Sequence, residues 1–220
     1  MSGSRSGSGG GSRKASGGRR PSPEAEVLSP STATEGWLSL VQEAQRAASR
    51  ELDEELESYL VFLLMRFTRE PGLAASVLAL EFLRGLQQAG GLRQASLRDV
   101  GDKCLLFTGF FPRRAERRRV RLSYFVDLGR AAYQEAAQHS PPGLGGMYQG
   151  LAGAFVALME VLQAMRRLEG RLGGGEDRLL DPLAAYELWE RTGSRAALEA
   201  LRALTGATAV PGGGEEGPRH

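Results

Sequence analysis

The sequence predicts an all-α protein: a single compact domain of seven to eight helices with a disordered N-terminal tail. Three observations carry that expectation. Leu and Ala number 32 and 28 among 220 residues, against 10 Val and no Ile, and Leu and Ala favour helices where β-branched residues favour strands. From Trp37 onward apolar residues recur every third or fourth position, the period of an amphipathic helix. Clusters of Pro and Gly then cut the pattern into helix-length pieces. Asn is also absent and Lys occurs twice, as GC-rich coding produces, so the periodicity is the stronger argument.

The elements follow in order. Thirteen of the first twenty residues are Gly or Ser, followed by Pro21, Pro23 and Pro30. Such a segment buries too little apolar surface to offset its ordering entropy, so residues 1–34 are expected to be a disordered tail, as are 208–220. The helical domain spans 35–207. Its first helix carries Trp37, Leu40, Val41 and Ala44, and the second Leu56, Leu60, Leu63 and Phe67 before Pro71-Gly72. A third is expected over Ala74–Ala89, ended by Gly90-Gly91, and a fourth from Ser96 to Phe110. Ser123 is the expected cap of a fifth, which Pro141-Pro142-Gly143 breaks.

The sixth, from Gly146 to Leu168, is the most apolar and reads as a central buried helix. Its continuous apolar part is shorter than the about 20 residues that span a bilayer. Gly146, Gly150 and Ala154 are spaced to let a neighbouring helix approach. Asp181-Pro182 and Ser194 are start signals for two last helices. Thr192-Gly193 joins these as a tight turn, and Gly206 closes the second. Val120–Val126 is the one stretch ambiguous between helix and strand.

Charge and composition narrow the function. The formal charge is +2, but residues 1–23 hold five basic residues and no acidic one, so the remainder has 23 basic against 26 acidic residues. A nearly neutral domain has no general attraction to nucleic acid or anionic membrane. One cysteine and two histidines cannot supply a four-ligand Cys/His zinc site, and no metal or cofactor is expected. Phosphate-loop, dinucleotide and zincin signatures are absent. With no apolar run after the basic start, a secretory signal is not expected, and the protein reads as cytoplasmic.

Two constellations stand out. Arg113, Arg114, Arg117, Arg118, Arg119 and Arg121 place six guanidiniums within nine residues, a supply of phosphate ligands. They equally suit a solvated connector paired with the acidic run Glu51, Asp53, Glu54, Glu55 and Glu57. No aromatics are interleaved as readers of single strands require. The second is a polar pocket formed by Asp102, Tyr124, Asp127 and Tyr133. Asp102 lies among Leu and Phe residues one turn from Asp99, and a structural ion pair with Lys103 or an Arg is the competing reading. Gly101 and Gly109 each cost a helix about 1 kcal/mol relative to Ala, so close packing or a ligand should compensate. Cys104 reads as a small core residue.

Gly101-Asp102 through Gly109-Phe110-Phe111-Pro112, Tyr124-Phe125-Val126, Leu128-Gly129-Arg130-Ala131-Ala132-Tyr133 and Ala185–Ser194 together resemble an uncharacterised family of all-helical bacterial, proteobacterial-type proteins. The likeness covers about residues 36–206 and implies a bacterial, cytoplasmic protein but no activity. The expected function is a non-enzymatic interaction or regulatory role with another protein as partner. A phosphate- or nucleic-acid-contacting protein using the arginine cluster is the first alternative. A small-ligand binder or enzyme built around Asp102 and Asp127 is the second.

Overall fold

The computed structural model describes residues 30–69, 77–112, 120–173 and 180–205. Among these the chain is all-α, with nine helices and no strand: α1 Pro30–Ala48, α2 Glu54–Arg69, α3 Leu78–Gln87, α4 Gly90–Phe110, α5 Leu122–Gln138, α6 Pro142–Gly153, α7 Phe155–Gly173, α8 Pro182–Thr192 and α9 Arg195–Thr205. The helical class is as the periodicity predicts.

Several boundaries differ, each for a local reason. The first helix begins at Pro30 and not after residue 34, since the fixed φ of proline suits a first helical position. The fourth begins at Gly90, ahead of Ser96. Gly90 takes φ +57°, so the Gly pair opens this helix as well as separating it from the one before. The apolar run expected as one sixth helix is two, α6 and α7, bent by 66° at Ala154. The bend falls directly after Gly153, a usual place for a helix to break. The fifth helix starts at Leu122 after extended Arg121; Ser123 is not its cap, because its hydroxyl donates to Glu187 of α8.

Asp53, which the sequence presents only within an acidic run, accepts from the Leu56 N–H at 2.8 Å to open α2. Other start and stop signals act as read. The Asp181 carboxylate accepts from the Ala184 N–H at 2.9 Å ahead of Pro182. Gly193 closes α8 in the left-handed region at φ +68°, and the Ser194 hydroxyl accepts from the Ala197 N–H at 3.2 Å. Gly206 lies outside the described residues.

The core is organised around α4 and α7. Between Phe155 and Met165, α7 buries Phe155, Leu158, Met159, Val161, Leu162, Ala164 and Met165 almost completely, as a central helix must. It packs against α1 on one side and α4 on another, while α4 lies along α5. Glycines set these approaches. A Cβ at Gly109 would stand 2.4 Å from the Leu162 Cβ, one at Gly129 2.4 Å from the Phe155 ring, and one at Gly101 2.6 Å from the Tyr133 ring. Close packing is therefore what compensates Gly101 and Gly109. The stripe expected at Gly146, Gly150 and Ala154 does not act this way, since Gly146 faces open space and Gly150 only meets Leu56 at 3.6 Å. Among the described residues no single helix is long and apolar enough to cross a membrane.

Two substitutions test this packing. Gly109→Ala should destabilise the protein by about 1–3 kcal/mol in urea unfolding, because overpacking against Leu162 outweighs the about 1 kcal/mol of helix propensity gained. Among the described residues, Ser49 is the non-glycine residue held at positive φ, +50°, just after α1. Ser49→Gly should stabilise by about 0.5–1 kcal/mol, since glycine adopts that conformation without the Cβ penalty.

Candidate functional site

The four residues expected to share a polar pocket divide into two pairs. Asp102 on α4 is 1% exposed and Tyr133 on α5 is fully buried; the Tyr133 hydroxyl donates to Asp102 Oδ1 at 2.8 Å. Tyr124 and Asp127 do not join them. Tyr124 is 43% exposed, and the exposed Asp127 carboxylate faces Arg191 of α8 at 3.9 Å. The reason is rotational. On α5 the buried face runs through Leu122, Phe125, Val126, Gly129, Ala132, Tyr133 and Ala136, and positions 124 and 127 fall on the opposite side of a 3.6-residue period.

The Asp102 cluster is completed by a tyrosine of α2 and two arginines, so of the ion pairs weighed for it the one with arginine is present. Tyr59 of α2 donates to the same Oδ1 at 2.5 Å. Arg66 of α2 meets Oδ2 at 3.1 Å, and Arg98 approaches it at 4.0 Å. Both arginines also engage Asp99, Arg98 at 2.7 Å and Arg66 at 3.4 Å. Lys103 pairs with Glu81 of α3 at 2.6 Å instead. Tyr148 of α6 stacks on Tyr133 with ring centroids 6.4 Å apart and accepts from Gln94 at 2.6 Å. A buried carboxylate thus ties α2, α4 and α5 together, and the arginines carry the network to the surface.

Burial lifts the Asp102 carboxyl above the ordinary carboxylate range, against the two tyrosine hydroxyls, Arg66 and Arg98, which favour its ionised form. Burial, and then the neighbouring carboxylate, raise Tyr59 and Tyr133 well above an ordinary phenol. Neither tyrosine is therefore a source of phenolate near neutrality. Burial likewise pushes the Cys104 thiol up, and a fully buried thiol of this kind is inert as a nucleophile. His139 is exposed at the end of α5, its Nδ1 2.8 Å from the Glu135 carbonyl.

A second buried acid, Glu160 on α7, escaped sequence reading. It is 1% exposed. Its Oε2 accepts from Arg50 Nε at 2.5 Å, and its Oε1 from the Ser194 hydroxyl at 2.7 Å and the Ala196 N–H at 3.1 Å. It caps α9 while pinning the end of α1. The available signal was a lone carboxylate inside Leu158-Met159-Glu160-Val161-Leu162. Among the described residues no three His, Cys, Asp or Glu side chains gather as a metal site requires.

Of the arginine cluster, Arg113, Arg114, Arg117, Arg118 and Arg119 lie outside the described residues. Within the acidic run offered as their partner, Asp53 caps α2, and Glu57 accepts from Gln42 at 3.2 Å and Gln45 at 2.5 Å. Arg121 is described, and it lines a groove of about 480 Å³ between the start of α5 and α8. Val120, Leu122, Leu183 and Tyr186 supply apolar surface there, and Asp181, Glu187 and Glu190 supply carboxylates. Leu183 is 81% exposed and Tyr186 45%, so α8 presents apolar side chains outward as well as toward the core. The sequence carries a trace of this, because Leu183 falls outside the period of buried Ala185 and Leu188.

Comparison of the chain with protein-family models, curated proteins and solved structures finds no match in any of the three.

The lifted Asp102 pKa has a signed consequence. Its folded value exceeds its unfolded one, so its contribution to stability is fully present below the unfolded pKa of about 4 and is lost as pH rises through the folded pKa. Asp102→Asn abolishes that titration. The stability of the parent protein minus that of D102N, measured by urea unfolding over a pH series, should fall as pH rises from about 4; a rising difference would contradict the assignment.

Proposed function

We propose that this is a non-enzymatic, cytoplasmic protein-interaction protein, and that its partner docks at the groove between the start of α5 and α8. The observation carrying this reading is the exposure of Leu183 and Tyr186 above that groove, in a molecule whose buried acids are engaged internally. Asp102 and Glu160 are both saturated by partners from neighbouring helices, an arrangement that supports a structural and not a catalytic role. Exposed apolar side chains gathered at a groove, with a polar rim, are the usual mark of a protein-binding surface.

The phosphate-binding alternative receives less support at Arg121. Its groove neighbours Glu187 and Glu190 would repel a phosphate, and the pair-rich Arg66–Arg98 cluster is already neutralised by Asp99 and Asp102. The small-ligand alternative needed Asp102 and Asp127 in one pocket, whereas Asp102 is buried against Tyr59 and Tyr133 and Asp127 is exposed beside Arg191.

A photo-crosslinking amino acid at position 183 tests the reading in the cells the protein comes from. A discrete protein adduct is expected from position 183 and none from exposed Glu43 of α1. Leu183→Asp should abolish association while leaving the helical circular-dichroism signal unchanged. Equal crosslinking at both positions would remove the groove from consideration.

A further inference from the structure

We infer that the cleft between the end of α1 and the start of α7 binds a small hydroxylated phosphate monoester, of the sugar-phosphate class. Arg46, Ser49 and Arg50 hold the phosphate, and Glu51 and Gln42 receive the hydroxyls. The cleft shares no residue with the α5–α8 groove, so this site is independent of the interaction reading.

The cleft, of about 670 Å³, runs along the last two turns of α1, past Glu51, to Ala157 of α7. That is the volume of a pocket for a small organic molecule, and its lining lies well inside the described stretches 30–69 and 120–173. Its basic wall is supported from behind. Arg50 is 24% exposed and donates from Nε to Oε2 of the buried Glu160 at 2.5 Å. Glu160 is held in turn by the Ser194 hydroxyl and the Ala196 N–H. A carboxylate fixed in this way orients the guanidinium and uses one of its five N–H donors, leaving the Nη groups for the cleft.

Arg46 lies four positions earlier and borders the same space; among the described residues it is ion-paired to no carboxylate. The last carbonyls of α1 are already satisfied, those of Gln45 and Arg46 accepting from the Arg50 and Ser49 N–H groups at 3.0 and 3.2 Å. Ser49 sits at φ +50°, a conformation that glycine adopts at lower cost and that ligand clamps often hold in other residues. Serine there places a hydroxyl donor on the same wall as the two guanidiniums. Two planar forks and a hydroxyl match the three terminal oxygens of a phosphate monoester, where a carboxylate offers two.

The remaining lining selects the rest of the ligand. Glu51 is exposed and, among the described residues, paired with no cation; it disfavours a second anionic group and accepts from hydroxyls. Gln42 gives its amide N–H to Glu57, which leaves its carbonyl oxygen as a further acceptor. Gln45 is engaged on both sides, donating to Glu57 and accepting from the Leu52 N–H. Ala157 is the apolar residue of the lining, and no aromatic ring borders the cleft. A nucleobase therefore finds nothing to stack on, whereas a polyol phosphate uses each free donor and acceptor.

The test is isothermal titration calorimetry on the full chain with ribose 5-phosphate, glycerol 3-phosphate, inorganic phosphate and ribose. Both esters should bind saturably, inorganic phosphate more weakly, and ribose not at all. Arg46→Gln should weaken the esters about ten-fold or more through loss of a charge-assisted contact, while Arg84→Gln on α3 should leave them unchanged. Ser49→Gly should weaken the esters even though it makes the protein more stable, a split that a purely structural role does not produce. Glu51→Gln should weaken the esters and leave inorganic phosphate bound as tightly or more so. All four positions are exposed, and circular dichroism confirms that each variant is folded. Absence of saturable binding by either ester overturns the inference, as does ester binding that is indifferent to Arg46→Gln or equally weakened by Arg84→Gln. Inorganic phosphate bound as tightly as the esters overturns it too. None of these results touches crosslinking at position 183, so the two readings fail separately.

Discussion

The rest of the structure depends on how closely α4 can approach α5 and α7. Gly101, Gly109 and Gly129 leave no room for even a methyl group at the contacts they make with Tyr133, Leu162, Phe155 and Cys104. Each glycine weakens its own helix, and burial of the aromatic and aliphatic side chains it admits offsets that cost. With α4 and α5 pressed together, the Tyr133 hydroxyl reaches Asp102 from across the interface. At a normal helix spacing the carboxylate would be left with Tyr59 and the arginines, and Tyr133 would be a buried hydroxyl in need of a partner.

Two buried acids then divide the work of joining helices that hydrophobic contact alone would leave free to slide. Asp102 collects donors from α2 and α5, and Glu160 collects them from the end of α1 and the first turn of α9. Hydrophobic contact is non-directional, while a carboxylate with fixed donors tolerates one arrangement. Breaking such a network is costly because it strands a charge in the interior. Saturation of both acids also explains why the interior offers little to a substrate, and why the surface is where function is to be sought.

On that surface, α8 sets exposed apolar side chains beside a groove. Its inner face contributes Ala185 and Leu188 to the core, and its outer face carries Leu183, Tyr186 and two glutamates. An isolated exposed leucine is ordinary. Leucine and tyrosine one turn apart over a groove, with carboxylates along its edge, form a surface with both shape and sign.

Much of the fold was legible in the chain because helix period, proline starts and glycine stops are local effects. The central burial of α7, the α8–α9 turn and the cap at Asp181 all follow from spacing within a few residues. Of the site, Asp102 and Tyr133 were legible as polar groups inside apolar helices. Tyr124 and Asp127 were grouped with them by nearness in sequence, although the helical period puts them on the opposite face. Tyr59 and Arg66 lie more than thirty positions from Asp102, and no local pattern relates them. The sequence by itself determined the helices and their buried faces, since those depend on periodicity. Only the tertiary structure decided which acids meet which donors, and that α8 keeps an apolar edge in water, because those outcomes depend on the angle and distance at which distant helices pack.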